Sequence, residues 1–186
     1  MITFLLHGGQ AGIASESNDE FFRALVANKP EPVRVLLLPF ARKNEEYTER
    51  YASNETRIQK VNPKMKLKFI HGEESALAQQ TTEADAVYLM GGDTTKLLMA
   101  LRSVPKVTEL LQGKTVAGSS AGAYALAKYY WSNDDASLGK GLGMLPMKIF
   151  AHFTPDKKIE YEKLAQYKEN LPILALPEQA WVRMKG

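Results

Sequence analysis

Ser120 stands in Gly118-Ser119-Ser120-Ala121-Gly122, a Gly-x-Ser-x-Gly pattern that follows the apolar pair Val116-Ala117 and leads into Ala123. Small residues around a serine at the join of a strand and a helix let the backbone turn sharply and keep the hydroxyl exposed, as in a nucleophile elbow. A serine hydroxyl attacks a carbonyl only when a base takes its proton and a third group orients that base. The chain has three histidines, His7, His71 and His152. His152, in Ile149-Phe150-Ala151-His152-Phe153 downstream of the serine, is the best base by order and setting. Asp134 and Asp135 lie between the two and give the chain order Ser, Asp, His, so either is the expected orienting carboxylate. Glu178, which follows a strand end at Leu176-Pro177, is the reserve.

The tetrahedral intermediate of acyl transfer needs two N–H donors for its oxyanion. Ala121, the residue after the serine, supplies one, and Gly91 or Gly92, where the backbone can approach closely, supplies the other. Gly91-Gly92-Asp93-Thr94-Thr95 lacks the Lys-Ser/Thr of a phosphate-binding P-loop and the full dinucleotide glycine pattern, so it reads poorly as a nucleotide site. Asp93, Thr94 and Tyr124 flank these segments and are the candidate substrate-binding residues. No two histidines have the spacing of metal ligands, and neither metal nor cofactor is expected.

Those residues must be positioned by a fold. With 186 residues, 45% of them hydrophobic, the chain is expected to form one domain over residues 1–186. Twenty-four Lys and Arg against 21 Asp and Glu leave a small, dispersed basic surplus, which argues against nucleic acid or a membrane surface as partner. The absence of Cys excludes a disulfide scaffold and a thiolate nucleophile, and suits a cytoplasmic protein. The N-terminus reads as a first strand and not as a signal peptide, and no apolar run approaches a membrane span.

Apolar runs at 2–6, 33–38, 86–90 and 115–117 read as strands buried on both faces, each ending in a loop and followed by helical spacing. Ser17-Asn18-Asp19-Glu20 fits a capping box, and Asn44 a cap for a helix carrying Tyr47, Tyr51 and Ile58. Lys64 to Phe69 alternates Lys with apolar residues, as an edge strand does. Residues 129–143 read as a loop, 147–153 as a strand, 156–168 as a polar helix, and 173–176 and 180–184 as two last strands. The pattern predicts an α/β three-layer sandwich with a mostly parallel sheet, whose carboxyl-end loops share one rim.

The sequence resembles the peptidase E family of serine peptidases, which includes aspartyl dipeptidase and, more distantly, cyanophycinase. The resemblance spans nearly the whole chain. It is carried by Gly91-Gly92-Asp93-Thr94 with Lys96-Leu97-Leu98, by Gly118-Ser119-Ser120-Ala121-Gly122-Ala123, by Gly141 to Pro146 leading to His152-Phe153, and by Leu176-Pro177-Glu178 before Trp181. It implies a class I glutamine amidotransferase-like fold, Ser120 as nucleophile, His152 as base and Asp134 or Asp135 as third member. It also implies an exopeptidase that releases an N-terminal residue, Asp in the best-known members, from a dipeptide or short peptide. The partner is then a small peptide, with a homodimer allowed for. Tyr124 stands where aspartyl dipeptidases carry Asn, and the segment after His152 is short and lacks their Arg, which leaves Lys157, Lys158 or Arg42 to meet a substrate carboxylate. The chain also ends at Gly186, before a C-terminal hairpin of longer relatives, as a short or truncated member would. The alternatives on the same fold are a small-ligand-binding protein with a degenerate site and an esterase or amidase acting on non-peptide substrates.

Overall fold

The computed structural model describes residues 1–186. In chain order the elements are β1 (Thr3–His7), α1 (Glu16–Val26), β2 (Val33–Leu38), α2 (Tyr47–Val61), β3 (Leu67–His71), α3 (Leu77–Glu83), β4 (Ala86–Leu89), α4 (Thr94–Arg102), α5 (Val107–Leu110), β5 (Thr115–Ser119), α6 (Ala121–Leu126), β6 (Ala127–Ser132), β7 (Ser137–Lys140), β8 (Leu145–Ala151), α7 (Lys158–Gln166), β9 (Ile173–Leu176) and β10 (Trp181–Lys185). No helix is long and apolar enough to cross a membrane.

The central sheet has six strands in the order β10-β1-β5-β4-β2-β3. Its five inner-chain strands are parallel, and β10 alone runs antiparallel, on the β1 edge. The apolar runs are continuous because both faces are covered, and successive side chains go to opposite sides. Leu5, Val35, Leu37, Tyr88 and Ala117 pack under Phe21, Phe22 and Leu25 of α1 and Tyr51 and Ile58 of α2. Phe4, Leu6, Leu36, Leu38, Val87, Leu89 and Val116 face the other way, toward α3, α4 and α6 and toward Met147, Ile149 and Ala151 of β8. The result is a three-layer α/β sandwich, the expected fold class. β3 is an edge strand, as its alternating lysines predict, with Lys66 and Lys68 exposed.

A second sheet, in the order β7-β6-β8-β9, lies beside α6, and α7 covers it by packing Leu164 on Trp131 and Phe150. Here the structure departs from the reading of 129–143 as a loop. The run Tyr129-Tyr130-Trp131 belongs to β6, which turns back through β7 as an antiparallel hairpin. Gly139 is what lets the pair close, since a Cβ there would stand 2.1 Å from the Tyr130 ring. The first helix is capped by Ser15, whose side chain accepts from Asn18 N, and not by Ser17, whose hydroxyl instead donates to the Gln179 carbonyl at 2.6 Å. Helix α7 starts at Lys158, two residues later than expected, and the short α5 has no counterpart in the sequence reading.

Candidate active site

β5 and α6 meet at Ser120, which has φ +52° and ψ −110°, a conformation that costs about 1–3 kcal/mol for a residue with a side chain and is kept only when its surroundings impose it. Two glycines impose it. A Cβ on Gly118 would lie 2.4 Å from the Gly122 carbonyl carbon, and one on Gly122 would lie 2.2 Å from the Leu89 carbonyl oxygen. The helix can therefore fold back against the strands only with glycine at both places. Ser120 N–H is held by the His7 carbonyl at 3.0 Å.

His152 follows β8, and its Nε2 lies 2.9 Å from Ser120 Oγ. Its Nδ1 lies 2.9 Å from Glu178 Oε1. An ionised carboxylate accepts only, so Nδ1 carries the proton and Nε2 is left as acceptor for the serine hydroxyl. Glu178 arrives there through strand register. β9 runs parallel to β8 with Leu176 opposite Ala151, and Phe153 N–H donates to the Leu176 carbonyl at 3.1 Å, so the residues after both strands emerge side by side.

The expected third member was Asp134 or Asp135, and neither carboxylate hydrogen-bonds to His152. Asp135 accepts from Ser132 Oγ at 3.1 Å and closes the β6–β7 turn. Asp134 lines the cleft in front of Ser120. The turn reaches the base only through Asn133, whose amide donates to the Ala151 carbonyl at 3.0 Å. With β6 and β7 formed as strands, the two aspartates sit at a hairpin tip whose geometry serves the turn.

Gly91 lies behind the serine, where a Cβ would come within 3.3 Å of Ser120 Cβ. Gly91 and Gly92 follow the end of β4, and their N–H groups take no part in the loop hydrogen bonds. Ala121 is the first residue of α6, so its N–H has no acceptor within the helix. Gly91 and Gly92 line the same cleft as Ser120, and Ala121 directly follows it in the chain. Asp93 accepts from Thr95 N at 2.8 Å and Lys96 N at 3.1 Å as the cap of α4. Asp93 and buried Thr94 line a neighbouring groove that meets the main cleft at Arg42, Gly92 and Asp134. Tyr124 is buried, stacked on Tyr130 and bonded to the Ala151 carbonyl at 3.2 Å, with burial pushing its hydroxyl well above the ordinary value. It supports the strand end before His152 and does not line the cleft, which corrects its assignment as a substrate-binding residue.

The cleft in front of Ser120 and His152 encloses about 480 Å³. Its far wall carries Arg42, from the loop after β2, and Arg50 and Arg57, two turns apart on α2. Arg57 pairs with Asp19, Arg50 with Glu46 at 3.3 Å, and Arg42 more distantly with the same Glu46. The Nε of each of the three is buried with no partner. Three cations against two carboxylates leave an excess of positive charge on this wall, which suits it to an anion. Arg42 was among the cations expected from the sequence. Arg50 and Arg57 were not, although each directly precedes a buried residue of the α2 stripe, Tyr51 and Ile58, and so had to lie at the border of the buried face. Lys157 donates to the His152 carbonyl at 3.1 Å, and neither it nor Lys158 lines the cleft. No group of three or more His, Cys, Asp or Glu side chains is placed to hold a metal ion.

An α/β sandwich with a serine on a strained strand-to-helix turn, a histidine at 2.9 Å and a carboxylate behind it defines a class of Ser-His-acid hydrolase-like sites. Within that class, residues 4–186 match the model of peptidase family S51, and the chain belongs to this family. It is similar to peptidase E from Streptomyces coelicolor A3(2), with 30% identity over 122 residues. That match covers 56% of this chain and 50% of the relative, so it spans about half the relative's length. Among solved structures, a peptidase from an acI-B1 actinobacterium superposes with a TM-score of 0.70 at 18% identity, covering 98% of this chain and 83% of the other. A candidate peptidase E protein from Listeria monocytogenes EGD-e gives 0.68 at 18% identity, covering 100% and 95%. These two likenesses establish the shared fold.

Proposed function

We propose that the protein is a cytoplasmic serine exopeptidase that hydrolyses dipeptides and short peptides with an N-terminal Asp, through a triad of Ser120, His152 and Glu178. The observation that carries this reading is the continuous chain from Ser120 Oγ through His152 to Glu178, 2.9 Å at each link, opening on an arginine-walled cleft. Ser120 Oγ attacks the scissile carbonyl while its proton passes to His152 Nε2. Glu178 holds the Nδ1 proton and stabilises the imidazolium that forms. The oxyanion is met by Ala121 N–H and by Gly91 or Gly92 N–H. As the tetrahedral adduct collapses, His152 returns the proton to the leaving amine, and an acyl-enzyme on Ser120 remains. Water, deprotonated by His152, then releases the N-terminal residue.

The arginine wall supports an acidic side chain next to the scissile bond, since the guanidinium groups of Arg42, Arg50 and Arg57 line the cleft and can meet a carboxylate with charge-assisted hydrogen bonds. Asp134, the carboxylate that lines the same cleft, is the partner available for the substrate's α-ammonium. The test is a panel of Asp-Leu, Ala-Leu, Leu-Asp and N-acetyl-Asp-Leu. Asp-Leu is expected to turn over fastest, and the acetylated peptide to be inert. Saturable binding of Asp-Leu with no hydrolysis of any member would replace this reading by that of a degenerate binding site.

A further inference from the structure

His7 is the one histidine with no exposed surface, and the proposed chemistry leaves it unused. It ends β1, between α1 and the site, with its ring against Phe21. Gly9 N–H donates to His7 Nδ1 at 3.0 Å. That contact requires an unprotonated Nδ1, so Nε2 carries the proton and donates to Asn18 Oδ1 at 2.8 Å. The Asn18 amide is thereby oriented as well, and its Nδ2 donates to the Gln10 carbonyl at 2.9 Å and the Ile13 carbonyl at 2.7 Å. Every polar atom of both buried side chains is engaged, and apart from the contact between the two, all the contacts fall on the backbone of residues 9–13.

The chain from His7 into this loop also bonds to the backbone around the triad. The Gly8 carbonyl accepts from His152 N–H at 2.9 Å, and the Gly9 carbonyl accepts from Gln179 N–H, next to Glu178, at 2.9 Å. Gly9, at φ +119°, lies so close beneath the imidazole that a Cβ would stand 2.1 Å from Cε1. The His7 carbonyl itself holds Ser120 N–H. Gln10, Ser120, His152 and Gln179 all have φ between +52° and +62°, so four non-glycine residues in this one knot are kept in a conformation the chain does not favour by itself. Residues 10–13 also form one side of the cleft.

We infer that His7 is a positioning residue for the proposed triad: as a neutral Nε2–H tautomer bridging Asn18 and Gly9, it fixes the 8–13 loop against which His152 and Glu178 are aligned. This inference rests on the peptidase reading. It acts through geometry and predicts an effect on turnover more than on substrate affinity, because the loop bonds directly to His152 and Gln179 at 2.9 Å each and meets the arginine wall through the Ile13 carbonyl, at 3.5 Å from Arg57 Nη2.

The experiment compares native protein, His7→Leu and His7→Asn on Asp-Leu, with near-UV circular dichroism as the check on folding. Misplacement of a catalytic group by about 1 Å costs about 10²-fold, so His7→Leu should lose about that much in kcat with KM changed by no more than about threefold. In His7→Asn the amide oxygen can take the place of Nδ1 and accept from Gly9 N–H, so it should recover about tenfold of the loss, more than a general packing defect would allow. A folded His7→Leu protein with native kcat overturns the inference. Imidazole ¹⁵N spectra of the native protein at pH 7 decide the same point without a variant: an Nε2–H tautomer is expected for His7, and an Nδ1–H tautomer or an imidazolium contradicts it. Native protein that hydrolyses nothing in the dipeptide panel overturns the peptidase reading instead, while the spectra still decide the His7 network.

Discussion

Replacing Glu178 by Gln separates the account from the alternative drawn from chain order. The substitution keeps the size of the side chain and removes its charge, and the amide can present a donor to His152 Nδ1, which favours the wrong tautomer. The carboxylate and the ring nitrogen are 2.9 Å apart, which puts the charge centres of Glu178 and the imidazolium about 4 Å apart. At that distance the attraction is about 4 kcal/mol in surroundings of effective dielectric 20 and about 1 kcal/mol in bulk water. The Glu178 side chain is 43% exposed and that of His152 31% exposed, so the stabilisation lies between those limits. At 1.36 kcal/mol per decade, kcat should fall by about 5-fold to 10³-fold. This is less than the roughly 10⁴-fold seen when a buried triad aspartate becomes asparagine. The assay is steady-state hydrolysis of Asp-Leu beside an Asp135→Asn control, whose lost contact is with Ser132 in the hairpin turn. That control should keep kcat within about threefold of native, since its carboxylate touches no reacting group. Native-like turnover by Glu178→Gln together with a large loss in Asp135→Asn would refute the assignment and restore the order Ser, Asp, His.

The other predictions concern the walls of the site. Arg50→Ala and Arg57→Ala should each lower the preference for Asp-Leu over Ala-Leu by about 10-fold or more, the scale of a hydrogen bond to a charged group, as read from the ratio of the two kcat/KM values. An unchanged ratio would remove the arginine wall from substrate selection. Gly9→Ala places a methyl group on the His152 ring at a backbone φ that disfavours alanine, so kcat should fall by about 10²-fold or more, and native turnover would contradict the close approach. His7 is held below its ordinary value of 6.5, chiefly because burial disfavours the charged ring, against the hydrogen bond with Asn18 and with the positive charge of His152 adding to the fall. The folded protein therefore binds fewer protons at this position than the unfolded chain, so the contribution of His7 to stability is full above pH 6.5 and is lost as pH falls below it. Denaturant midpoints at pH 7.5 and 5.5 should fall further for native protein than for His7→Asn, and equal falls would show that His7 is not the titrating group.

Much of this site is legible in the sequence because its constraints are local. Gly118 and Gly122 are spaced to press a helix against strands, Gly91-Gly92 follows a strand end, and His152 ends an apolar run, so each announces its place within a few residues. The continuous apolar runs likewise state that the central strands are covered on both faces. Glu178 is different, because its position depends on the parallel register of β9 on β8, a relation between segments 26 residues apart that no periodicity encodes. Chain order alone favours the aspartates, and it does not show that 129–131 is a strand whose hairpin carries Asp135 into its own turn. Arg50 and Arg57 were hidden by the same kind of relation. Nothing within the α2 segment itself shows that the helix packs beside the cleft. His7 and Asn18 were hidden because a buried polar pair differs from an exposed one only in its surroundings.

The central claim is that Ser120 is the reacting group. The direct measurement is intact and peptide-mapped mass after exposure to an active-site-directed fluorophosphonate. The account predicts one phosphonyl group per chain, located on Ser120, with labelling and Asp-Leu turnover lost together in Ser120→Ala. Turnover that persists in Ser120→Ala, with no label on Ser120 in the native chain, would contradict it.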